Sequence, residues 1–272
     1  MQLNCDFVDK SFSLTKNRNY RLSIQISLNG FSFCIYDVDR QKHVVFKDYG
    51  YSTDISDYDS WSQETEAITE LVPVSRIPAK CLFVSRKNVL IPANIFDEKN
   101  LKNYLSFSFN VDSLEEIQYK YIPEIEGYCS FSIPSNIISP IKNRFTDVQF
   151  FNTSYQVIRR MRKTDYETYM EIVFCENYMD VTIFKEKKLI FNNSFEIFDL
   201  KDVIYFTSVV INRFDISQIP IYTSGKISNA EIMELTKYFP EIIQHQNKRI
   251  TLLLGIETSS KFYNLLSLYE CE

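Results

Sequence analysis

Residues 20–36 read Tyr20-Arg21-Leu22-Ser23-Ile24-Gln25-Ile26-Ser27-Leu28-Asn29-Gly30-Phe31-Ser32-Phe33-Cys34-Ile35-Tyr36, and the architecture of the whole chain can be built from them. Leu22, Ile24 and Ile26 alternate with Arg21, Ser23 and Gln25, the period-two pattern of a half-buried strand. Asn29 and Gly30 tolerate positive φ, so the chain is expected to turn there. Phe31, Phe33 and Ile35 then alternate back. A polar turn over 37–42 leads into His43-Val44-Val45-Phe46-Lys47-Asp48-Tyr49, which makes three consecutive antiparallel strands.

The same arrangement returns later. Residues 169–174 are apolar and extended, Glu176-Asn177 marks a turn, and Met179, Val181 and Ile183 alternate outward from it. Glu186-Lys187-Lys188 turns again into a strand over 189–197. The two meanders begin about 147 residues apart, at 22 and 169. Between them the pattern predicts strands over 80–86 and 88–92 and a helix over 97–105 capped by Asp97. It also predicts a hairpin over 117–122 and 127–133, and a helix over 135–145 kinked at Pro140. A strand over 148–151 and a helix over 154–162 complete the first half. The second meander is followed by an apolar helix over 200–214, a strand over 219–223 ending at Ser224-Gly225, a helix over 229–239 and a last strand over 250–254. A short helix over 63–71 follows an acidic stretch at 52–62.

Composition narrows the chemistry. Only five of 272 residues are glycine, where about nineteen would be ordinary. Gly30, Gly50, Gly127, Gly225 and Gly255 lie 20 or more residues apart, which excludes both the dinucleotide and the P-loop glycine motifs. Thirty Lys+Arg against 35 Asp+Glu give a net charge of −5, which weighs against a general nucleic-acid binder. No apolar run reaches the ~20 residues needed to span a bilayer, and the start shows no export signal. Six dispersed cysteines without a C-x-x-C suit a reducing cytoplasm. Cys34, Cys129 and Cys175 fall in strand-like runs and are expected in the core.

The paired meanders resemble a duplicated ribonuclease-H-like unit, the architecture of actin, sugar kinases and heat-shock ATPases. The order over 191–239 is similar to the second half of bacterial actin-like proteins of pilus assembly and cell division. The run Leu22–Asp37, with Leu90-Ile91-Pro92, Phe96-Asp97, Asn103-Tyr104-Leu105 and the terminal Cys271-Glu272, resembles more closely a Bacteroidetes-type bacterial family of unknown function. Its members are described as having an actin-like ATPase fold. The resemblance implies an α/β chain of two ribonuclease-H-like lobes, residues 1–164 and 165–272. Each lobe would be a mixed sheet with an antiparallel three-strand meander and flanking helices.

In the ATPases of this superfamily each first hairpin carries Asp-x-Gly. The aspartate handles the metal and the glycine lets backbone amides approach phosphate. Aligned on the first strand, Gln25 stands at the aspartate and Ser27 at the glycine, and Ser32 falls near a frequent lysine. On the second, Val173 stands at the aspartate and Cys175 at the glycine. The late Gly-Gly survives as Ser224-Gly225. Preorganised metal and donors supply most of phosphoryl-transfer catalysis, single donors being worth roughly 10²–10³ in rate, so losing both carboxylates implies little ATPase activity. Two-metal nuclease chemistry lacks its first-strand carboxylate as well.

The resemblance therefore implies a catalytically degenerate fold acting as an interaction or scaffold protein, with no catalytic residues and no metal. No cofactor is expected beyond residual ATP and magnesium binding. The partner is an unidentified protein; membrane insertion and nucleic acid are not expected, and a homodimer stays open. The alternative is a nucleotide-binding protein or weak ATPase using a rebuilt interlobe cleft, with Ser27, Asn29, Gly30, Glu176, Asn177, Ser224 and Gly225 near the ligand. Other candidates read more simply. Asp37-Val38-Asp39 opens a turn rather than a calcium loop, because Lys42 occupies the required glycine position. Asp54, Asp57 and Asp59 sit among Ser and Thr in a solvated loop. Neither His43 nor His245 has the context of a catalytic triad. Arg159-Arg160-Met161-Arg162-Lys163 reads as a solvated helix end. The aromatics Phe107, Phe109, Tyr119, Tyr121, Phe131, Phe150 and Phe151 mostly alternate as core.

Overall fold

The computed structural model describes residues 2–13, 19–27, 30–50, 68, 77–145, 147–161 and 165–269. The expectations for Leu28, Asn29, the acidic stretch with Asp54, Asp57 and Asp59, most of the 63–71 helix, Arg162, Lys163 and the terminal Cys271-Glu272 lie outside these residues. The chain divides into two compact units, Met1–Tyr155 with Leu265–Glu272, and Gln156–Asn264. Residues 156–164 and 265–272 thus fall across the division drawn from the sequence repeat.

The first unit is built on a six-stranded sheet: β1 (Gln2–Val8), β2 (Tyr20–Ser27), β3 (Gly30–Asp37), β4 (Lys42–Gly50), β5 (Ala79–Phe83) and, later in the chain, β9 (Val148–Asn152). Its order is β1-β4-β3-β2-β5-β9. The meander is antiparallel, and β5 and β9 join in parallel. A separate three-stranded antiparallel sheet holds β6 (Asn88–Pro92), β7 (Glu115–Ile122) and β8 (Gly127–Pro134) in the order β6-β8-β7. Helices α1 (Leu101–Ser106) and α2 (Ser135–Arg144) accompany them, and α3 (Thr153–Arg160) starts in this unit and continues into the second from Gln156. Asp97 caps the short 3-10 turn ahead of α1 by accepting from the Lys99 amide, and Pro140 is held inside α2.

The second unit repeats the scheme. Strands β10 (Tyr169–Phe174), β11 (Tyr178–Lys185), β12 (Lys188–Glu196), β13 (Ile221–Gly225) and β14 (Ile242–Gln244) are ordered β12-β11-β10-β13-β14. The meander is again antiparallel and the last two strands parallel. Glu186 and Lys187, both at positive φ (52° and 58°), make the tight turn whose twist suits a hairpin. One face of the sheet is apolar. Met170, Ile172, Phe174, Met179, Val181 and Ile183 pack against Val203 and Val210 of α4 (Leu200–Phe214) and Ile232 and Leu235 of α5 (Asn229–Leu235). Each such side chain contributes about 1.5–3 kcal/mol when fully buried. Asp199 caps α4 through the amides of Lys201 and Asp202, and Ser228 and Glu231 form a reciprocal capping box at α5.

Several expectations are corrected. Residues 250–254 are not a strand but the body of α6 (Lys248–Leu254), because Asn247 caps it by accepting from the Ile250 amide. Helices α7 (Ile256–Lys261) and α8 (Tyr263–Leu266) follow. Strand β1 was not expected; it pairs with β4 at the sheet edge. The helix ending at Arg160 is not wholly solvated, since Arg160 is buried. Phe107 is 88% exposed rather than core. Asp37 does serve a turn, its Oδ1 accepting from the Arg40 amide at 3.1 Å. Cys34, Cys129 and Cys175 are buried free thiols, as expected. Among the described residues no helix is long and apolar enough to cross a membrane.

Candidate functional site

The residues expected near a ligand fall at strand ends in both units. Ser27 ends β2, and its hydroxyl donates to the Gly30 carbonyl at 3.2 Å. Gly30 is required by packing: a Cβ there would sit 2.7 Å from the Tyr49 carbonyl oxygen. In the second unit Glu176 and Asn177 form the turn between β10 and β11, closed by the Cys175 amide donating to the Tyr178 carbonyl at 2.9 Å. Ser224 and Gly225 end β13, in register with Val173 and Phe174. Gly225 has φ 95°, and a Cβ would fall 2.1 Å from the Phe174 carbonyl oxygen, so only glycine fits. The Lys226 amide donates to that same carbonyl at 2.8 Å. The Lys226 ammonium pairs with the Glu176 carboxylate. The amides of Cys175 and Lys226 are therefore spent on backbone carbonyls, and a carboxylate stands in the turn.

Behind these turns lies the polar face of the second sheet. Alternation places Glu171 and Val173 on one face of β10. Register aligns Thr182 and Asn192 with Glu171, and Asp180 and Ser194 with Val173. Glu171, 2% exposed, pairs with the guanidinium of Arg160, itself 6% exposed. Burial opposes ionisation of Glu171, but Arg160 and then His245 outweigh it and hold its carboxyl at about 2. His245 Nε2 lies 3.4 Å from the same oxygen, with its ring stacked between Tyr222 at 4.8 Å and Tyr263 at 4.4 Å. Arg160 Nη1 also donates to Asn264 Oδ1 at 2.7 Å, and Asn264 Nδ2 reaches Ser224 Oγ at 3.5 Å. A continuous polar chain thus runs from Glu171 through Arg160 and Asn264 to Ser224.

Asp180 is different in kind. It is 3% exposed; Oδ1 accepts from the Ser194 hydroxyl at 2.5 Å, while Oδ2 is buried without a hydrogen-bond partner among the described residues. Burial pushes its carboxyl from 3.8 up to about 7, against the opposing Ser194 bond. Burial, and then the Asp180 charge, also raise the neighbouring Cys175 thiol. A carboxyl that ionises only near pH 7 and a thiol held protonated are weaker ligands for a hard cation than an ordinary carboxylate. Among the described residues no group of three or more His, Cys, Asp or Glu is arranged to hold a metal ion.

Sequence reasoning assigned no role to Arg160, Glu171, Asp180 or His245. The signal for two of them was present: Glu171 and Asp180 are single charges inside otherwise apolar strands, Tyr-Met-Glu-Ile-Val-Phe and Tyr-Met-Asp-Val, and such charges are buried only when partnered or neutralised.

The family described as protein of unknown function, DUF3822, matches residues 9–242. A Bacteroides thetaiotaomicron protein of unknown function with an actin-like ATPase fold superposes with a TM-score of 0.72 at 20% identity, covering 85% of this chain and 92% of that one. The PilM–PilN type IV pilus biogenesis complex gives 0.61 at 9% identity over 93% and 98%. The ethanolamine utilization protein EutJ from Carboxydothermus hydrogenoformans gives 0.52 at 7% identity over 95% and 94%. No curated protein matches the sequence. At these identities the likeness establishes the fold, which is the actin-like ATPase fold read from the two meanders.

Proposed function

This chain belongs to the DUF3822 family, whose function is unknown, and we propose that it is a non-catalytic interaction or scaffold protein on a degenerate actin-like ATPase fold. The observation that carries the reading is the turn at Cys175–Tyr178. Where an ATPase of this fold offers amides to a phosphate, this turn closes its own amide onto a carbonyl and holds the Glu176 carboxylate against Lys226. The Glu176 carboxylate offsets the Lys226 charge, so the turn offers a phosphate no net positive charge. Val173 beside it supplies no metal ligand, and the nearest carboxylate in register, Asp180, is held near neutrality by burial.

The working partner in this reading is another protein, in the cytoplasm. The likeness in fold to the PilM–PilN complex supports this reading by analogy. The two lobes, residues 1–164 and 165–272, act as the platform. The rival reading, a nucleotide bound through Ser27, Asn29, Gly30, Glu176, Asn177, Ser224 and Gly225, draws on the glycine geometry kept at Gly225.

Thermal unfolding with and without millimolar magnesium-ATP separates the two. A ligand that binds only the folded state raises the melting temperature in proportion to RT ln(1 + [L]/Kd). The scaffold reading expects no magnesium-dependent shift. A saturable one that Ser224→Tyr abolishes overturns it.

A further inference from the structure

The two meanders end in different edges. In the first unit the outermost meander strand, β4, is covered by β1, which pairs with it from Gln2↔Gly50 to Val8↔Val45. The corresponding strand of the second unit is β12, and among the described residues no strand lies outside it. A bare edge presents a row of backbone donors and acceptors to any chain that can pair with them. Their positions follow from the ladder. The Ile197 amide donates inward to the Asn177 carbonyl at 3.0 Å, so alternation turns the amides of Ser194 and Asn192 outward. The side chains of these two residues are engaged within the sheet, Asn192 Nδ2 donating to Thr182 at 2.9 Å and the Ser194 hydroxyl to Asp180. What the edge offers a partner is therefore backbone. The one register irregularity of β12 lies between Leu189 and Phe191, and no proline interrupts the strand.

The edge has an apolar flank. Phe191 and Phe195, on the helix side of the sheet, stack with each other at 6.3 Å. Phe206 of α4 stacks on Phe195 at 4.7 Å, and Tyr205 meets Phe206 edge-on at 5.2 Å. Tyr205 is 62% exposed and Val209, one turn on, 44%. Charge is divided between the two ends of the strand. The turn at 185–188 holds three lysines and one glutamate, whereas residues 196–202, at the other end, hold three acids and one lysine. An antiparallel copy of the same segment sets each basic turn against the acidic end of the other, and a two-fold axis repeats the match.

We propose that β12 pairs antiparallel with β12 of a second copy of this chain, on a two-fold axis at Asn193. In that register Phe191 stands opposite the partner's Phe195, an aromatic cross-strand pair on the helix side. Asn192 stands opposite the partner's Ser194, a pair that exchanges both backbone bonds. The two sheets become one, and β12 acquires the cover that β1 gives β4. The inference goes beyond the scaffold reading and does not depend on it, because a strand edge pairs whether or not the turns hold a nucleotide.

The test is sedimentation equilibrium of the full chain over the micromolar range, joined to oxidative cross-linking. A dimer is expected. Asn193→Cys, at the axis, should cross-link to itself, because residues opposed there stand about 4.5 Å apart at Cα, within disulfide reach. Lys142→Cys, at an exposed position of the first unit, should not. Asn192→Pro removes an outward amide while sparing the bonds to β11, and should weaken the dimer about tenfold or more. Lys188→Glu should weaken it about threefold, and adding Glu196→Lys should restore it. A monomer at high micromolar concentration, a dimer without the Asn193→Cys cross-link, or a folded Asn192→Pro chain that dimerises as tightly as the natural one overturns the pairing.

Discussion

The two sheets solve one problem in opposite ways. Both carry a serine–aspartate pair on the polar face of the meander, one strand out from the position where the ATPase aspartate would stand. In the first unit Ser32 on β3 donates to Asp48 on β4 at 2.7 Å, with Ser32 in register with Gln25. In the second, Ser194 on β12 donates to Asp180 on β11, with Asp180 in register with Val173. The residue types have exchanged strands. Asn4 on β1 reaches the second oxygen of Asp48 at 3.3 Å, whereas among the described residues the second oxygen of Asp180 has no hydrogen-bond partner. Among the described residues no strand of the second sheet lies beyond β12 to supply one. A carboxylate with a single donor in a dry site keeps its proton.

The covering of that face differs as well. In the first unit the C-terminal tail supplies carbonyls: Leu266 to His43 at 3.0 Å and Leu268 to Lys80, while the Tyr269 hydroxyl donates to the Pro78 carbonyl at 2.8 Å. In the second, α3 and Asn264 supply charge and amide groups to Glu171 and Ser224. One face is neutralised by backbone and the other by a buried ion pair, so the two should fail differently.

Replacing Leu265, Leu266 and Leu268 together by alanine should act on the first unit alone. Each of the three is 3% exposed or less, and their loss is worth about 5 kcal/mol or more together. Urea unfolding followed by hydrogen exchange should show the loss confined to residues 2–155. Arg160→Met attacks the second unit and leaves Glu171 buried without its guanidinium, a change that costs about 3–5 kcal/mol. Equal destabilisation of both units by either change would dissolve the contrast.

The pH dependence is subtler. Asp180 titrates at 3.8 unfolded and about 7 folded, so between those values the folded chain binds the extra proton. Its contribution is therefore greatest at low pH and is lost as pH rises to 7, by roughly 2–4 kcal/mol. Glu171, at about 2 folded against 4.5 unfolded, acts in the opposite sense: its contribution is present above 4.5 and is lost as pH falls to 2. Together they place the second unit's maximum near pH 4, where the Glu171 contribution is nearly complete and the Asp180 contribution has barely begun to fall. Asp180→Asn should flatten the fall between pH 4 and 7 and leave the acid limb intact, read as melting temperature against pH. An unchanged fall would mean another group carries it. Asn4→Ala has the smallest expected effect, about 1 kcal/mol for one partly buried hydrogen bond, and a neutral result in a chemical melt would remove the contrast drawn at Asp48.

Much of this was legible from residues. The meanders showed because one face of each is apolar and the other carries polar side chains such as Ser32, Asp48, Glu171 and Asp180, which imposes alternation. The edge strand β1 was not, because most of its residues are exposed on both faces and nothing enforces a period. The apolar run at 250–254 fits strand and helix alike, and the distinguishing mark was the Asn247 cap. The basic run at 159–163 hid its one buried member, since the Glu171 that selects Arg160 lies on a later strand. The absence of Asp-x-Gly at Gln25–Ser27 and Val173–Cys175 is read directly from the residues; that Glu176 and Lys226 would meet at the turn required the register of β10 and β13.

The decisive quantity for the proposed function is phosphate release from millimolar magnesium-ATP by the purified full chain. The account expects no magnesium-dependent release above the buffer rate, with Ser224→Tyr indistinguishable from the natural chain. Magnesium-dependent turnover that Ser224→Tyr abolishes would contradict it.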